Sequence, residues 1–181
     1  YFTKVFLDKM LEKNEGHIIN VASIAGFLPG PYMCTYHACK GYVLLLGEAI
    51  SHEIRKTNVK LLTLCPGPFL SKFVEKAHND YTFSKIKPVS SDTVAEYGYK
   101  KSLKGKSLAI VGFKNKMTVF AAKLAPRRLV TSSSAKTMKK AAKKLKQNGK
   151  IKKSTYKAVK YLYLILSFVC EEVVNAKKSK I

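Results

Sequence analysis

Residues His17 to Lys40 read HIINVASIAGFLPGPYMCTYHACK, and the parsing of the whole chain turns on this stretch. It opens with a nearly continuous apolar run over residues 17–22, with Ile18, Ile19 and Val21, and lands on Ser23. A short run of that kind predicts a buried parallel strand. Gly26, Pro29, Gly30 and Pro31 mark residues 24–33 as a loop. Tyr36 and Lys40 then stand four residues apart at the head of a long apolar segment. Val43, Leu44, Leu46, Gly47 and Ile50 give that segment a wide apolar face, so a helix is predicted from about Met33 to Lys56.

Working outward, Tyr1 to Lys13 places Phe2, Val5, Phe6, Met10 and Leu11 at helical spacing, and Asn14-Glu15-Gly16 ends it. Val59 to Cys65 (VKLLTLC) reads as a second buried strand, closed by Pro66-Gly67-Pro68. Residues 69–89 are polar and irregular, as a loop would be. Ser90-Ser91-Asp92 predicts a helix cap before Thr93 to Leu103, and Ser107 to Val111 is a third apolar run ending at Gly112. Helices alternating with apolar runs predict a doubly wound parallel α/β sheet. In such sheets ligands sit at the carboxyl ends of the strands, where Ser23 and Pro66-Gly67 both fall.

The residue types at that edge suit one chemistry. Reducing a carbonyl needs a proton donor for the developing alkoxide, and the reverse reaction needs a base. A tyrosine does either when a nearby ammonium draws its pKa toward neutrality. Tyr36 and Lys40, at i and i+4, share one helix face about 6 Å apart along the axis. Ser23, at a strand end, is placed to polarise the substrate oxygen. Tyr-x-x-x-Lys alone is poor evidence, because Tyr81/Lys85, Tyr97/Lys101 and Tyr156/Lys160 repeat it. A serine thirteen residues earlier narrows the choice to Ser23/Tyr36 and Ser84/Tyr97. Only the first pair has a buried-strand run before its serine and a strand ending in Pro-Gly thirty residues after its tyrosine.

INVAS, the spacing to YHACK, and CPGPFLS together resemble the catalytic half of the short-chain dehydrogenase/reductase family. The resemblance implies a Rossmann-like fold over roughly residues 1–130, with the clear motifs confined to 16–75. It implies an oxidoreductase that moves a hydride between NAD or NADP and a carbonyl or alcohol carbon. By that resemblance Tyr36 is the acid/base, Lys40 lowers its pKa and binds the nicotinamide ribose, and Ser23 orients the substrate. Pro66 and Gly67, with Phe69 and Ser71, would hold the nicotinamide end of the cofactor. Cys39 stands where the family usually has serine. The resemblance also implies a homo-oligomer in the full-length form.

Part of the family's pattern is absent from these 181 residues. No GxxxGxG or GxGxxG occurs, and neither does the NAG segment. The chain therefore reads as the family's C-terminal catalytic portion without the N-terminal cofactor-binding half. It opens at Tyr1, already in a helical pattern, which is the expectation for a fragment. The isolated chain is expected not to bind NAD(P) normally. A non-catalytic remnant, acting as a scaffold or as a basic membrane-surface module, is the alternative reading.

The net charge of +23 is unevenly placed. Residues 1–112 carry 15 Lys/Arg against 9 acids, and residues 113–181 carry 19 against 2. Lys114 to Leu129 suggests one or two short helices broken at Pro126, and residues 131–181 read as a lysine-rich helical extension. From Lys136 to Lys160 there are eleven lysines and no acid. A solvated helix face ranks first for this segment. Attraction to an anionic membrane surface through 136–170 ranks second, because the apolar run YLYLILSFVC follows at 161–170. That run spans about 15 Å as a helix, half a bilayer core. Nucleic-acid binding ranks last, since aromatics do not interleave with the lysines and arginine is scarce. Cys34, Cys39, Cys65 and Cys170 form no metal-ligand spacing, and His17, His52 and His78 have no partners in metal spacing, so no metal is expected. Scattered thiols without a secretory leader read as a cytoplasmic protein.

Overall fold

The structure is a computed structural model that describes residues 2–69 and 89–147, with side chains placed through residue 139. Three parallel strands form its sheet: β1 (His17–Val21), β2 (Lys60–Cys65) and β3 (Leu108–Ile110), in the order β1-β2-β3. The register pairs Ile19 with Leu62 and Leu64 with Ala109. Among the described residues five helices accompany it: α1 (Phe2–Lys13), α2 (Cys34–Glu53), α3 (Ser91–Leu103), α4 (Phe113–Leu124) and α5 (Arg127–Gln147). A short 3₁₀ turn, Ile24–Phe27, lies between β1 and α2. The alternation read from the sequence is thus the alternation of the fold, and a break falls at Pro126 as expected.

Successive residues of β2 point to opposite faces, so the strand sorts its own neighbours. Leu62 and Leu64 pack with Val94 of α3 and with Ala109 and Val111. Cys65 packs on the other side with Ala22 and Leu44 of α2, and Leu61 with Ile54, Ile50 and Met10 of α1. Helices therefore cover both faces, α1 and α2 on one and α3 on the other. All of β2 beyond Lys60 is buried, as its apolar run requires.

The first strand differs from its sequence reading. Ile19 and Val21 are exposed, although the run predicted a buried strand. β1 is an edge strand of this sheet: the α1–α2 layer covers one of its faces, and on the other α3 reaches it at His17, whose Nδ1 lies 3.1 Å from the Ser102 hydroxyl. Its apolar composition exceeds what the described elements bury.

Local chemistry sets the element ends. Ser90 caps α3 by accepting from the Thr93 amide at 3.2 Å, as Ser90-Ser91-Asp92 predicted. Gly112, at φ +85°, makes the turn into α4, a conformation that side chains with a Cβ rarely adopt. Residues 1–139 form one compact unit, with residues 140–181 falling in a second.

Candidate active site

The site is built where β1 and β2 end. Ser23 follows β1 and begins the 3₁₀ turn, and its Oγ accepts from the Ala25 amide at 3.1 Å. The same hydroxyl donates to the Pro66 carbonyl at 3.4 Å, a long bond, and the Ile24 amide donates to that carbonyl at 3.0 Å. Ser23 is thereby tied to Pro66, which the chain separates by 43 residues. Both are buried.

Lys40 reaches back to the same edge from α2. Its Nζ donates to the Val21 carbonyl at 2.9 Å, at the last residue of β1. It also lies 6.0 Å from the centroid of the Tyr36 ring, the i,i+4 pairing that the spacing predicted. Burial lowers the Lys40 pKa below 10.5, while Cys39 and Cys65 pull the other way. Burial likewise pushes the Cys65 thiol up to about 12, with Glu48 adding to the rise and the Ser23 amide and Lys40 opposing it. An ammonium with incomplete hydration exerts a stronger field on neighbours than a solvated one. Lys40 has three N–H donors, one of them engaged by Val21.

The 3₁₀ turn and α2 meet backbone to backbone. A Cβ on Gly26 would stand 2.7 Å from the Lys40 carbonyl oxygen, so only glycine permits this approach. That contact sets the spacing between the segment carrying Ser23 and the helix carrying Tyr36 and Lys40. The loop ahead of α2 is fixed by His37, a residue given no role by its sequence context. Its ring is buried, its Nδ1 lies 2.7 Å from the Leu28 carbonyl, and it fills the space a Cβ would need at Gly30.

The second strand end brings in a residue that sequence reasoning did not find. The Asn115 amide occupies the space a Cβ would take at Gly67 and donates from Nδ2 to the Val111 carbonyl at 2.6 Å. No motif announced it; α4 carries it there because the chain turns at Gly112. Phe69 forms an isolated parallel bridge with Val89 and packs on the Leu62–Val94 cluster. Ser71, the last of the residues expected at the nicotinamide end, lies outside the described residues, as do Tyr81/Lys85, Ser84 and Tyr156/Lys160. The competing Tyr97/Lys101 pair is described. The Tyr97 hydroxyl donates to the Ile110 carbonyl at 3.2 Å and its ring packs into the core, a structural use. Among the described residues no cluster of His, Cys, Asp and Glu could hold a metal ion.

Comparison with known proteins follows this geometry. The family model for short chain dehydrogenase matches residues 1–82. An uncharacterised oxidoreductase of Staphylococcus aureus is 33% identical over 88 residues, 49% of this chain and 38% of its own length. The oxidoreductase YvrD of Bacillus subtilis is 41% identical over 63 residues, 35% of this chain and 24% of its own. The chain thus spans well under half the length of these curated relatives. In solved structures, a 7β-hydroxysteroid dehydrogenase matches with a TM-score of 0.61 at 21% identity, over 73% of this chain and 52% of that one. A short-chain dehydrogenase of Burkholderia cenocepacia, solved with NADP, matches with a TM-score of 0.56 at 20% identity, over 70% and 50%. These likenesses share the fold.

Proposed function

We propose, from the match of residues 1–82 to the family model for short chain dehydrogenase, that the chain carries the proton-transfer half of an NAD(P)-dependent carbonyl/alcohol oxidoreductase. Tyr36 is the acid/base, Lys40 its electrostatic partner, and Ser23 the holder of the substrate oxygen. The observation that carries this reading is the Lys40 bond to the Val21 carbonyl. It pins a partly desolvated ammonium beside the Tyr36 ring, at the strand end that also carries Ser23.

In the reducing direction the substrate oxygen gains negative charge and Tyr36 donates its phenolic proton to it. Lys40 stabilises the phenolate that results, by charge and without itself losing a proton. Ser23 exchanges its 3.4 Å bond to Pro66 for one to the substrate oxygen, while the Ala25 amide keeps hold of its Oγ. A short bond to a developing oxyanion is stronger than the long neutral one it replaces.

A nicotinamide cofactor, when bound, supplies the hydride. The residues present fit its nicotinamide-ribose end: Lys40 retains donors for a ribose hydroxyl, and Pro66, Gly67, Phe69 and Ser71 follow β2 in sequence. They do not fit its pyrophosphate, because no glycine-rich turn exists in these residues. Nucleotide binding therefore requires a glycine-rich turn from outside them.

The test compares the chain alone with a chimera. The chimera joins the part of the staphylococcal relative that precedes its matched stretch to this chain at Phe2. The chain alone should not consume NADH or NADPH with any ketone of a broad panel, whereas the chimera should. Turnover by the chain alone would overturn the division of labour. A folded chimera that binds cofactor without turnover would favour a non-catalytic scaffold.

A further inference from the structure

Helix α4 presents an apolar stripe that is exposed among the described residues. Phe113 is 76% exposed, Met117 48%, Phe120 58% and Leu124 71%. Their positions, at i, i+4, i+7 and i+11, lie on one face of a helix that advances about 100° per residue. The opposite face anchors the helix: Val119 is 3% exposed and Asn115 stands against Gly67. On the helical wheel Lys114 flanks the stripe on one side, and Lys116 and Lys123 flank it on the other. Lys123 also lies 5.3 Å from the centroid of the Phe27 ring, which fixes the helix beside the 3₁₀ turn.

We propose that this face of α4 docks on the surface of an anionic lipid bilayer. The charge pattern selects the occupant. Residues 113–139 hold seven Lys/Arg and no acid, so the same face of a second copy of this chain would be repelled there. An anionic surface is attracted, and the stripe between the lysines enters the acyl boundary while the ammonium groups stay at the headgroups. No helix among the described residues is long and apolar enough to cross a membrane, so α4 lies on the surface. The membrane contact read from sequence over residues 136–170 lies mostly outside the described residues; α4 is a separate element, anchored in the fold. Gly67 then sits about one helix diameter, roughly 10 Å, from the lipid.

The test is co-sedimentation of the 181-residue protein with vesicles of phosphatidylcholine alone and of phosphatidylcholine with phosphatidylserine. The protein should partition to the anionic vesicles and be released by high salt, which shortens the screening length from about 10 Å to about 3 Å. Phe113→Ser/Phe120→Ser should lower the partition constant by about tenfold or more. Phe2→Ser/Phe6→Ser, which removes equally exposed aromatics from α1, should leave it unchanged. Partitioning that is indifferent to Phe113 and Phe120, and so carried by lysines alone, would overturn the proposal. So would a wild type that ignores both vesicles and self-associates through these two phenylalanines in analytical ultracentrifugation. Circular dichroism checks that each variant keeps its fold. Should the α4 double variant unfold, Lys114→Glu/Lys116→Glu takes its place, with the same loss expected and retained partitioning counting against the proposal.

Discussion

Gly26→Ala is the most informative single perturbation of the site's architecture. A Cβ at this position would meet the Lys40 carbonyl oxygen at 2.7 Å and its carbon at 2.9 Å. Both are backbone atoms, so no rotamer change relieves the clash and the 3₁₀ turn must move away from α2. Overpacking of this kind costs about 1–3 kcal/mol. The same contact viewed from α2 has the opposite sign. Gly41 is a mid-helix residue whose Cβ would lie 3.4 Å from the Gly26 oxygen, an ordinary contact. Gly41→Ala removes a helix-interior glycine and should stabilise by up to about 1 kcal/mol. Urea unfolding followed by circular dichroism separates the two. With a slope of about 1–3 kcal/mol per molar, Gly26→Ala should lower the midpoint by roughly 1 M and Gly41→Ala should raise it slightly. A Gly26→Ala protein as stable as wild type would refute the close approach, and with it the claim that this contact sets the spacing of Ser23 and Lys40.

Two further stability predictions follow from buried groups. Thr63 is fully buried, and its Oγ1 has no hydrogen-bond partner among the described residues. Thr63→Val should therefore be neutral or stabilising by about 1 kcal/mol in thermal unfolding, and a large loss would show that the hydroxyl has a partner. Cys65 stays protonated in the folded chain up to about 12 but ionises near 9.0 once unfolded. Above pH 9 the folded state thus holds more protons, and this group's contribution to stability falls as pH rises. Lys40, lowered below 10.5, acts in the opposite sense, its burial cost easing as pH rises through its folded value toward 10.5. Comparison with Cys65→Ala isolates the cysteine: the variant should lose less stability above pH 9 than wild type, and parallel pH profiles would contradict the assignment.

Much of the fold was legible because each apolar run is short and each is closed by glycine, proline or a capping serine. β2 shows why this works, since Leu61 to Cys65 are buried on both faces and a continuous apolar run is the pattern such a strand needs. β1 has nearly the same composition yet lies at an edge, and composition alone does not say which strands are covered. Within the site, the i,i+4 pairing of Tyr36 and Lys40 is local and follows from helical geometry. The bond from Lys40 to Val21 spans 19 residues and depends on the Gly26–Lys40 approach, which no local pattern encodes. Asn115 and His37 escaped for the same reason: each acts through a contact with a glycine, Gly67 or Gly30, that no spacing in the sequence announces. Tyr97 illustrates the converse, a matching motif whose hydroxyl the fold spends on the Ile110 carbonyl.

The central claim is that Tyr36 transfers the proton, and one measurement bears on it directly. It is the rate of NAD(P)H consumption with a ketone by the chimera, with and without Tyr36→Phe. Removing the phenolic oxygen deletes the donor while keeping the ring beside Lys40, so turnover should fall about 10²–10⁴-fold with cofactor affinity retained. A Tyr36→Phe chimera that turns over at the parent rate would contradict the account.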